Sequence, residues 1–480
     1  MFCLREKPCH KARMIRHVLA AAALLAATPA VAQSTTQDAL EARYDRALAA
    51  GYKALFLCSA IANAERIGAT RTPESVMRWE LSGIQAPLDE IVGELPYVIE
   101  RSPDGPVSYV SVPFGGTSSV RYAVHDPEKG CSLRPISYPA AATVAEAVAD
   151  PARSGGANDA GQKSFELVID SQGKSPIAHV SPLDAVFADA FADSYGPGTR
   201  TTVVLVKRGG ETWERYPAKW EDVPQRTWSV AKSFAATLVG AAVQRGDANV
   251  ASSAGLGGAS PDPRNEITID HLLRMASGRY SDTPGNRTDP LYFGGSTVEE
   301  TALHWPLVHV PGTVYRYANN DTLAAVKAIE MTFADHPPAR FFAKLGMHDT
   351  VAETDWRGDY ILSSQVWSTA RDLAKLGQLY LDDGMLADGT RILPEGWVDY
   401  VSAPTGPQPD SPFGYGAGFW LLNQSDGVPA DTFAAMGNRG QFIVIVPSMN
   451  VVIVRRGEDP TGSRFDIAAF TRDVLETLED

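Results

Sequence analysis

Strand-like runs lie at both ends of the chain's second half, and they constrain the fold more than anything else in the sequence. Thr201-Thr202-Val203-Val204-Leu205-Val206-Lys207, the turn Arg208-Gly209-Gly210, and Glu211-Thr212-Trp213-Glu214-Arg215-Tyr216 read as a hairpin. Much further on, Phe419-Trp420-Leu421-Leu422, Phe442-Ile443-Val444-Ile445-Val446 and Val451-Val452-Ile453-Val454 read as strands, the last two joined by Pro447-Ser448-Met449-Asn450. Residues 266–400 between them are mostly helical in pattern, and an amphipathic helix closes the chain from about Phe465 to Leu478. Strands at both ends with helices between imply an α+β fold: one antiparallel sheet gathered from distant segments and flanked by helices.

The first 32 residues read as an export signal. A basic segment ends at Arg16-His17, the apolar run Val18–Ala27 follows, and Ala30-Val31-Ala32 fits the small-x-small cleavage rule. Met14 is an alternative start. The apolar run is too short to span a bilayer, so no membrane insertion is expected after cleavage. Cleavage would leave 38 basic against 56 acidic residues, a balance of −18, which disfavours a nucleic-acid partner. It would also remove Cys3 and Cys9, leaving Cys58 and Cys131. In an oxidising compartment a disulfide is the default for such a pair, with two buried thiols the alternative. Residues 33–135 open with a helical pattern from Gln37 to Arg66, continue in strand-like pieces, and read as a small amino-terminal α+β accessory domain. Residues 136–164 are rich in Ala, Pro, Gly and Ser and read as a linker to a main domain over 165–480.

Chemistry concentrates at three places. Ser229 and Lys232 stand three residues apart at the head of an apolar helical run, so they share a face. A desolvated lysine can lose its proton and activate a serine hydroxyl. Taken alone, the four letters favour an ordinary helix with a surface lysine. Tyr317 and Asn319 follow the Pro311-Gly312 turn, where a phenol could relay a proton and an amide could donate and accept. Met436-Gly437-Asn438-Arg439-Gly440-Gln441 runs into a strand, and its glycines would allow close backbone approach to a ligand.

In this order, Ser229-Val230-Ala231-Lys232, Tyr317-Ala318-Asn319 and Asn438-Arg439-Gly440 resemble the motifs of the serine β-lactamase and penicillin-binding protein superfamily. The chain is most similar to the class C-like branch of esterases, D-amino-acid peptidases and 6-aminohexanoate-dimer hydrolases. His271-Leu272-Leu273-Arg274-Met275-Ala276-Ser277-Gly278, Pro311-Gly312-Thr313 and Leu393-Pro394-Glu395-Gly396-Trp397 add to the likeness, which covers roughly residues 170–480. The resemblance implies a β-lactamase/transpeptidase-like fold with a mostly helical insert. It implies that Ser229 forms an acyl-enzyme, that Lys232 takes its proton, and that Tyr317 relays a proton to the leaving group. Asn319 would orient Lys232 and substrate, and the N–H groups of Ser229 and Gln441 would form the oxyanion hole. Lys232 is expected within reach of both Ser229 and Tyr317. The sequence departs from the family at Asn438, where Lys or His is usual. That departure argues against strong β-lactam turnover, with Asn438 facing the pocket and Arg439 facing away.

Other chemistries fit poorly. The sequence has no Gly-x-Ser-x-Gly elbow, Walker loop or Rossmann fingerprint, and His304 and His309 are spaced wrongly for a helical metal pair. The expectation is a periplasmic or secreted serine hydrolase of small amides or esters, without metal or cofactor. β-Lactamase or D,D-peptidase activity, or a non-catalytic ligand-binding relative, are the alternatives.

Overall fold

A computed structural model of the protein describes residues 37–103, 105–116, 119–138, 181–217, 220, 223–280 and 288–479. The expected signal segment 1–32 and nearly all of the expected linker 136–164 lie outside these residues. The chain divides into two compact units, Met1–Tyr44 and Asp45–Asp480. In the first, the described residues are the opening turns of helix α1 (Gln37–Arg66), where Gln37 Nε2 donates to Glu41 Oε1 at 3.0 Å.

In the second unit, α1 is buried continuously from Ala47 to Ala64. It is long and apolar enough to cross a membrane, but its apolar window is wholly buried inside protein, as in a core helix. Its one lysine, Lys53, donates to the carbonyl oxygens of Val92 at 2.9 Å and Leu95 at 2.6 Å. A four-stranded antiparallel sheet follows: β1 (Val98–Arg101), β2 (Val107–Pro113), β3 (Val120–Asp126) and β4 (Gly130–Leu133), in sequential order. Cys58 of α1 and Cys131 of β4 form a disulfide across a separation of 73 residues. Closing a loop of that length stabilises by about 4 kcal/mol in the chain-entropy account.

Beyond helix α2 (Pro182–Ala190) lie β5 (Thr201–Arg208), β6 (Glu211–Arg215) and β7 (Gln225–Arg226), then helix α3 (Ala231–Arg245). Helix α4 (Asn319–Ile329), helix α5 (Pro338–Lys344), β8 (Val351–Ala352), β9 (Val366–Ser368) and helix α6 (Ala370–Leu381) come next. The chain then forms β10 (Gly414–Tyr415), β11 (Trp420–Leu421), β12 (Phe433–Gly437), β13 (Gln441–Val446), β14 (Val451–Gly457) and helix α7 (Ile467–Glu479). The seven-stranded sheet runs β10-β11-β12-β13-β14-β5-β6, antiparallel at every pairing. The early hairpin and the late strands meet at β14 against β5, with Ile453 opposite Val206. This is the sheet of distant segments expected from the sequence.

Both faces of that sheet are covered, and period-two alternation divides the side chains between them. Val203, Leu205, Val452 and Val454 pack into the core shared with α3 and α6. Val204, Val206, Val451 and Ile453 pack into a second core with α2 and α7. A smaller sheet, β7-β9-β8, lies at the active end. Buried Arg456 of β14 reaches across to it, donating to Ser368 O at 2.6 Å and Gln225 O at 2.9 Å. That tie fixes the segment from which the Ser229 turn springs.

Candidate active site

Strand β7 ends at Arg226, and a single 3₁₀ turn, Trp228–Val230, leads into α3. The N–H of Thr227 donates to Val366 O at 2.8 Å, holding the turn against β9. Trp228 sits at φ 50°, in the left-handed region that a bulky residue rarely occupies. Between residues 223 and 242 every residue is buried except Ser229, which is partly exposed. An apolar helix thus presents one hydroxyl to solvent at its head.

Lys232 lies one turn on and is 2 % exposed. Its Nζ makes three hydrogen bonds: to Ser229 Oγ at 3.1 Å, Asn319 Oδ1 at 2.5 Å and Ser363 O at 2.9 Å. Burial lowers its pKa to about 7. A neutral amine has two N–H donors and one lone pair. The Asn319 and Ser363 oxygens can only accept, so they take the two donors. The lone pair is then left for the Ser229 hydroxyl.

Asn319 is the first residue of α4, not part of an open loop, because Ala318 is the extended cap before it. Its Nδ2 donates to Thr288 Oγ1 at 2.8 Å, which fixes Oδ1 toward the lysine. Tyr317 lies beside this pair, its ring centroid 4.9 Å from Lys232 Nζ. Among the described hydrogen bonds none joins Tyr317 to Lys232, where direct reach had been expected. Burial raises its pKa well above that of an ordinary phenol, the neighbouring Ser229 side chain opposing only in part. The phenol therefore stays protonated at neutral pH, and the nearly neutral lysine is the available base. Tyr317 also packs against Trp420 (5.4 Å) and Tyr415 (6.0 Å), which gives the site an aromatic wall.

The third segment is a hairpin turn. Gly437 of β12 pairs with Gln441 of β13, and Asn438, Arg439 and Gly440 form the loop, with φ of 57° at Arg439 and 77° at Gly440. Asn438 is exposed and its Oδ1 accepts from the Arg439 N–H at 2.9 Å. Arg439 turns inward to Glu458 at 2.7 Å and to the carbonyl oxygens of Trp79 and Ser82. Arg439 thus faces away from Asn438, which the left-handed turn at Arg439 brings about. Gly440 packs against Arg455, and the Gln441 side chain is engaged apart from its backbone N–H, the group expected in the oxyanion hole. A Cβ on Gly440 would overlap the Arg455–Asp459 ion pair, and the buried Gln441 amide binds Arg456 at 2.5 Å and the carbonyls of Arg439 and Gly457. The backbone against the nucleophile is that of Gly437, where a Cβ would overlap Thr227 O and come within 3.1 Å of Ser229 N. Gly437→Ala is expected to lower turnover about 100-fold, the scale of one lost oxyanion donor. Gly440→Ala is expected instead to lower the melting temperature, because both its φ and its surroundings exclude a methyl group. Unchanged ester kinetics in Gly437→Ala would refute this placement.

Two further contributors had no sequence signature. Ser363 acts through its carbonyl oxygen, which any residue carries. Its Oγ is 2.7 Å from Tyr292 Oη. Arg226 is wholly buried and donates to Ser364 O at 3.2 Å and Ser364 Oγ at 2.5 Å. Its guanidinium lies 4.0 Å from the Trp228 ring, 5.0 Å from Phe56, 5.5 Å from Tyr292 and 5.6 Å from Phe293. Burial lowers its pKa to about 10, so it remains charged at neutral pH. Phe56 belongs to α1, so the amino-terminal helix forms part of the support beneath the site. Among the described residues no cluster of three or more His, Cys, Asp or Glu could hold a metal.

Residues 187–474, more than half of the chain, match the sequence model of the Beta-lactamase family. The chain belongs to the Beta-lactamase family. This places it in a serine hydrolase superfamily. The 6-aminohexanoate-dimer hydrolase of Paenarthrobacter ureafaciens is 27% identical over 158 residues, 30% of this chain and 39% of the relative. Penicillin-binding protein 4 of Amycolatopsis lactamdurans is 26% identical over 268 residues, 47% of this chain and 69% of the relative. The chain thus spans well under half of the first relative's length. Among solved structures, a provisional 6-aminohexanoate-dimer hydrolase from Bacillus anthracis aligns with TM-score 0.50 at 21% identity, covering 58% of this chain and 79% of that one. A provisionally assigned beta-lactamase from Bacteroides dorei DSM 17855 aligns with TM-score 0.51 at 20% identity, covering 63% and 99%. These two likenesses bear on the fold of this Beta-lactamase family member.

Proposed function

We propose that the protein is an exported serine hydrolase that cleaves a small, uncharged amide or ester through an acyl-enzyme on Ser229. The observation that carries the reading is the 3.1 Å contact between Ser229 Oγ and a buried lysine whose pKa is lowered to about 7. In acylation, Ser229 Oγ attacks the carbonyl carbon and its proton passes to Lys232 Nζ. The carbon–nitrogen or carbon–oxygen bond then breaks, and the leaving group takes a proton delivered through the Tyr317 phenol. In deacylation a water loses a proton to the same pair and attacks the ester carbon. The carboxylic acid leaves, and Ser229 regains its proton. The Ser229 N–H supplies one oxyanion donor, and the backbone beside Gly437 is the place for the second.

The substrate preference rests on charge. Asn438 is neutral and exposed, and Arg439 is committed to Glu458 on the other side of the turn. A substrate carboxylate would therefore find no cation at this turn, and neutral hydrogen bonds are about half as strong as charge-assisted ones. The partial likeness to penicillin-binding protein 4 supports a second reading, acylation by β-lactams or D,D-peptides. The test compares a p-nitrophenyl ester of a short acid with nitrocefin, alongside covalent labelling by a fluorophosphonate probe. Expected are labelling that disappears in Ser229→Ala and ester turnover far above nitrocefin turnover. Efficient nitrocefin hydrolysis would favour the second reading. Absence of both labelling and turnover would leave a ligand-binding relative.

A further inference from the structure

Ser229 stands just before helix α3, which carries Lys232 in its first turn, and the last two turns of α3 border a separate cavity of about 120 Å³. Leu238 lies nine residues after Ser229, roughly 13 Å along the helix at 1.5 Å per residue. The floor is apolar, formed by Leu238 of α3, Phe333, Phe341 of α5, and Ile392. The volume is near the roughly 150 Å³ of an apolar cavity that takes up a benzene ring.

The rim has the opposite character. Arg245, Arg340, Lys344 and Arg391 line it, and no carboxylate does. In a chain with a net charge of −14 this is a local reversal of sign. Arg340 and Lys344 are four residues apart on α5 and so project from one face. Arg245 pairs with Asp247 at 2.7 Å and Arg391 with Asp383 at 3.1 Å, both outside the lining. Arg340 donates to the Asp335 carbonyl oxygen at 2.6 Å. Among the described residues, neither Arg340 nor Lys344 has a carboxylate within ion-pair distance.

We propose that this cavity is a binding site for a small organic anion, a carboxylate carried on one ring or a short alkyl chain. The apolar body would displace water from the floor, and the carboxylate would take charge-assisted bonds from the rim. An inorganic anion lacks the first element and a neutral ring the second, so both should bind poorly.

Isothermal titration calorimetry with sodium benzoate tests this on the mature chain, with benzamide and inorganic phosphate as comparators. One saturable benzoate site per chain is expected, retained in Ser229→Ala and weakened at least tenfold in Arg340→Glu/Lys344→Glu. Both side chains are exposed, so the double variant should fold, and the milder Arg340→Gln should weaken binding to a smaller degree. Absence of saturable benzoate binding would overturn the proposal. So would equal binding of benzamide or phosphate, or benzoate affinity unchanged by charge reversal. The readout is binding and not turnover, so it stands or falls separately from the hydrolase reading.

Discussion

Lys232→Met is expected to reduce ester turnover by on the order of 10⁶-fold, the scale seen when the nucleophile or the base of such a unit is removed. Methionine has a similar stem, suited to the buried channel, but no lone pair to accept the Ser229 proton. The unmutated enzyme should show an acid limb in kcat/KM near pH 7, falling about tenfold per pH unit below it, because only the neutral amine can act as base. Stability provides a second readout. The folded-state pKa of about 7 lies below the ordinary 10.5, so between those values the folded protein binds fewer protons here than the unfolded chain. Stability therefore rises with pH through that window, by several kcal/mol at about 1.4 kcal/mol for each tenfold. In Lys232→Met this component is absent. The melting-temperature difference between the two proteins should accordingly change between pH 7 and 10 and be flat below 7. A turnover profile with no inflection near 7, or a methionine variant that retains most activity, would remove Lys232 as the base.

The second large effect is expected at Arg226, a positioning residue that touches none of the reacting groups. It holds Ser364, whose neighbour Ser363 provides one of the three oxygens around Lys232 Nζ. Arg226→Met leaves the Ser364 carbonyl and hydroxyl without their donor, at about 1–3 kcal/mol of stability. It also empties the centre of the ring of Phe56, Trp228, Tyr292 and Phe293. If the Ser363 carbonyl moves, Lys232 loses an acceptor and its orientation. The predicted outcome is a 10–100-fold loss in kcat with KM nearly unchanged, since small misplacements cost about that much. Arg226→Lys should not restore the rate, because an ammonium lacks the planar fork that reaches two Ser364 atoms. A methionine variant that is less stable but has normal kcat would reduce Arg226 to a packing residue.

The strand pattern along the chain was enough to imply the sheet, and helical spacing was enough to put Ser229 and Lys232 on one face. Val203–Val206 and Val451–Val454 are apolar runs that read as strands, and strands at both ends with helices between imply one sheet. Helical spacing is local, and three residues bring Ser229 and Lys232 together whatever the rest of the chain does, but only the likeness to the family motifs marks them as a reactive pair. The resemblance then marked Tyr317 and Asn319, and the structure brings both beside them. Tertiary structure alone decided which backbone closes the site. Gly437 and Gly440 are three residues apart in one hairpin, and only the packing shows that the first lies against Ser229 while the second lies against Arg455. Ser363 contributes a carbonyl oxygen and is silent in sequence, because every residue has one. The aromatic cage around Arg226 draws on residues from 56 to 293, and such non-local contact has no period to read. Local spacing fixes what side chains share a face. Which carbonyl, glycine or ring meets that face depends on loop closure across hundreds of residues, and the fold alone settles it.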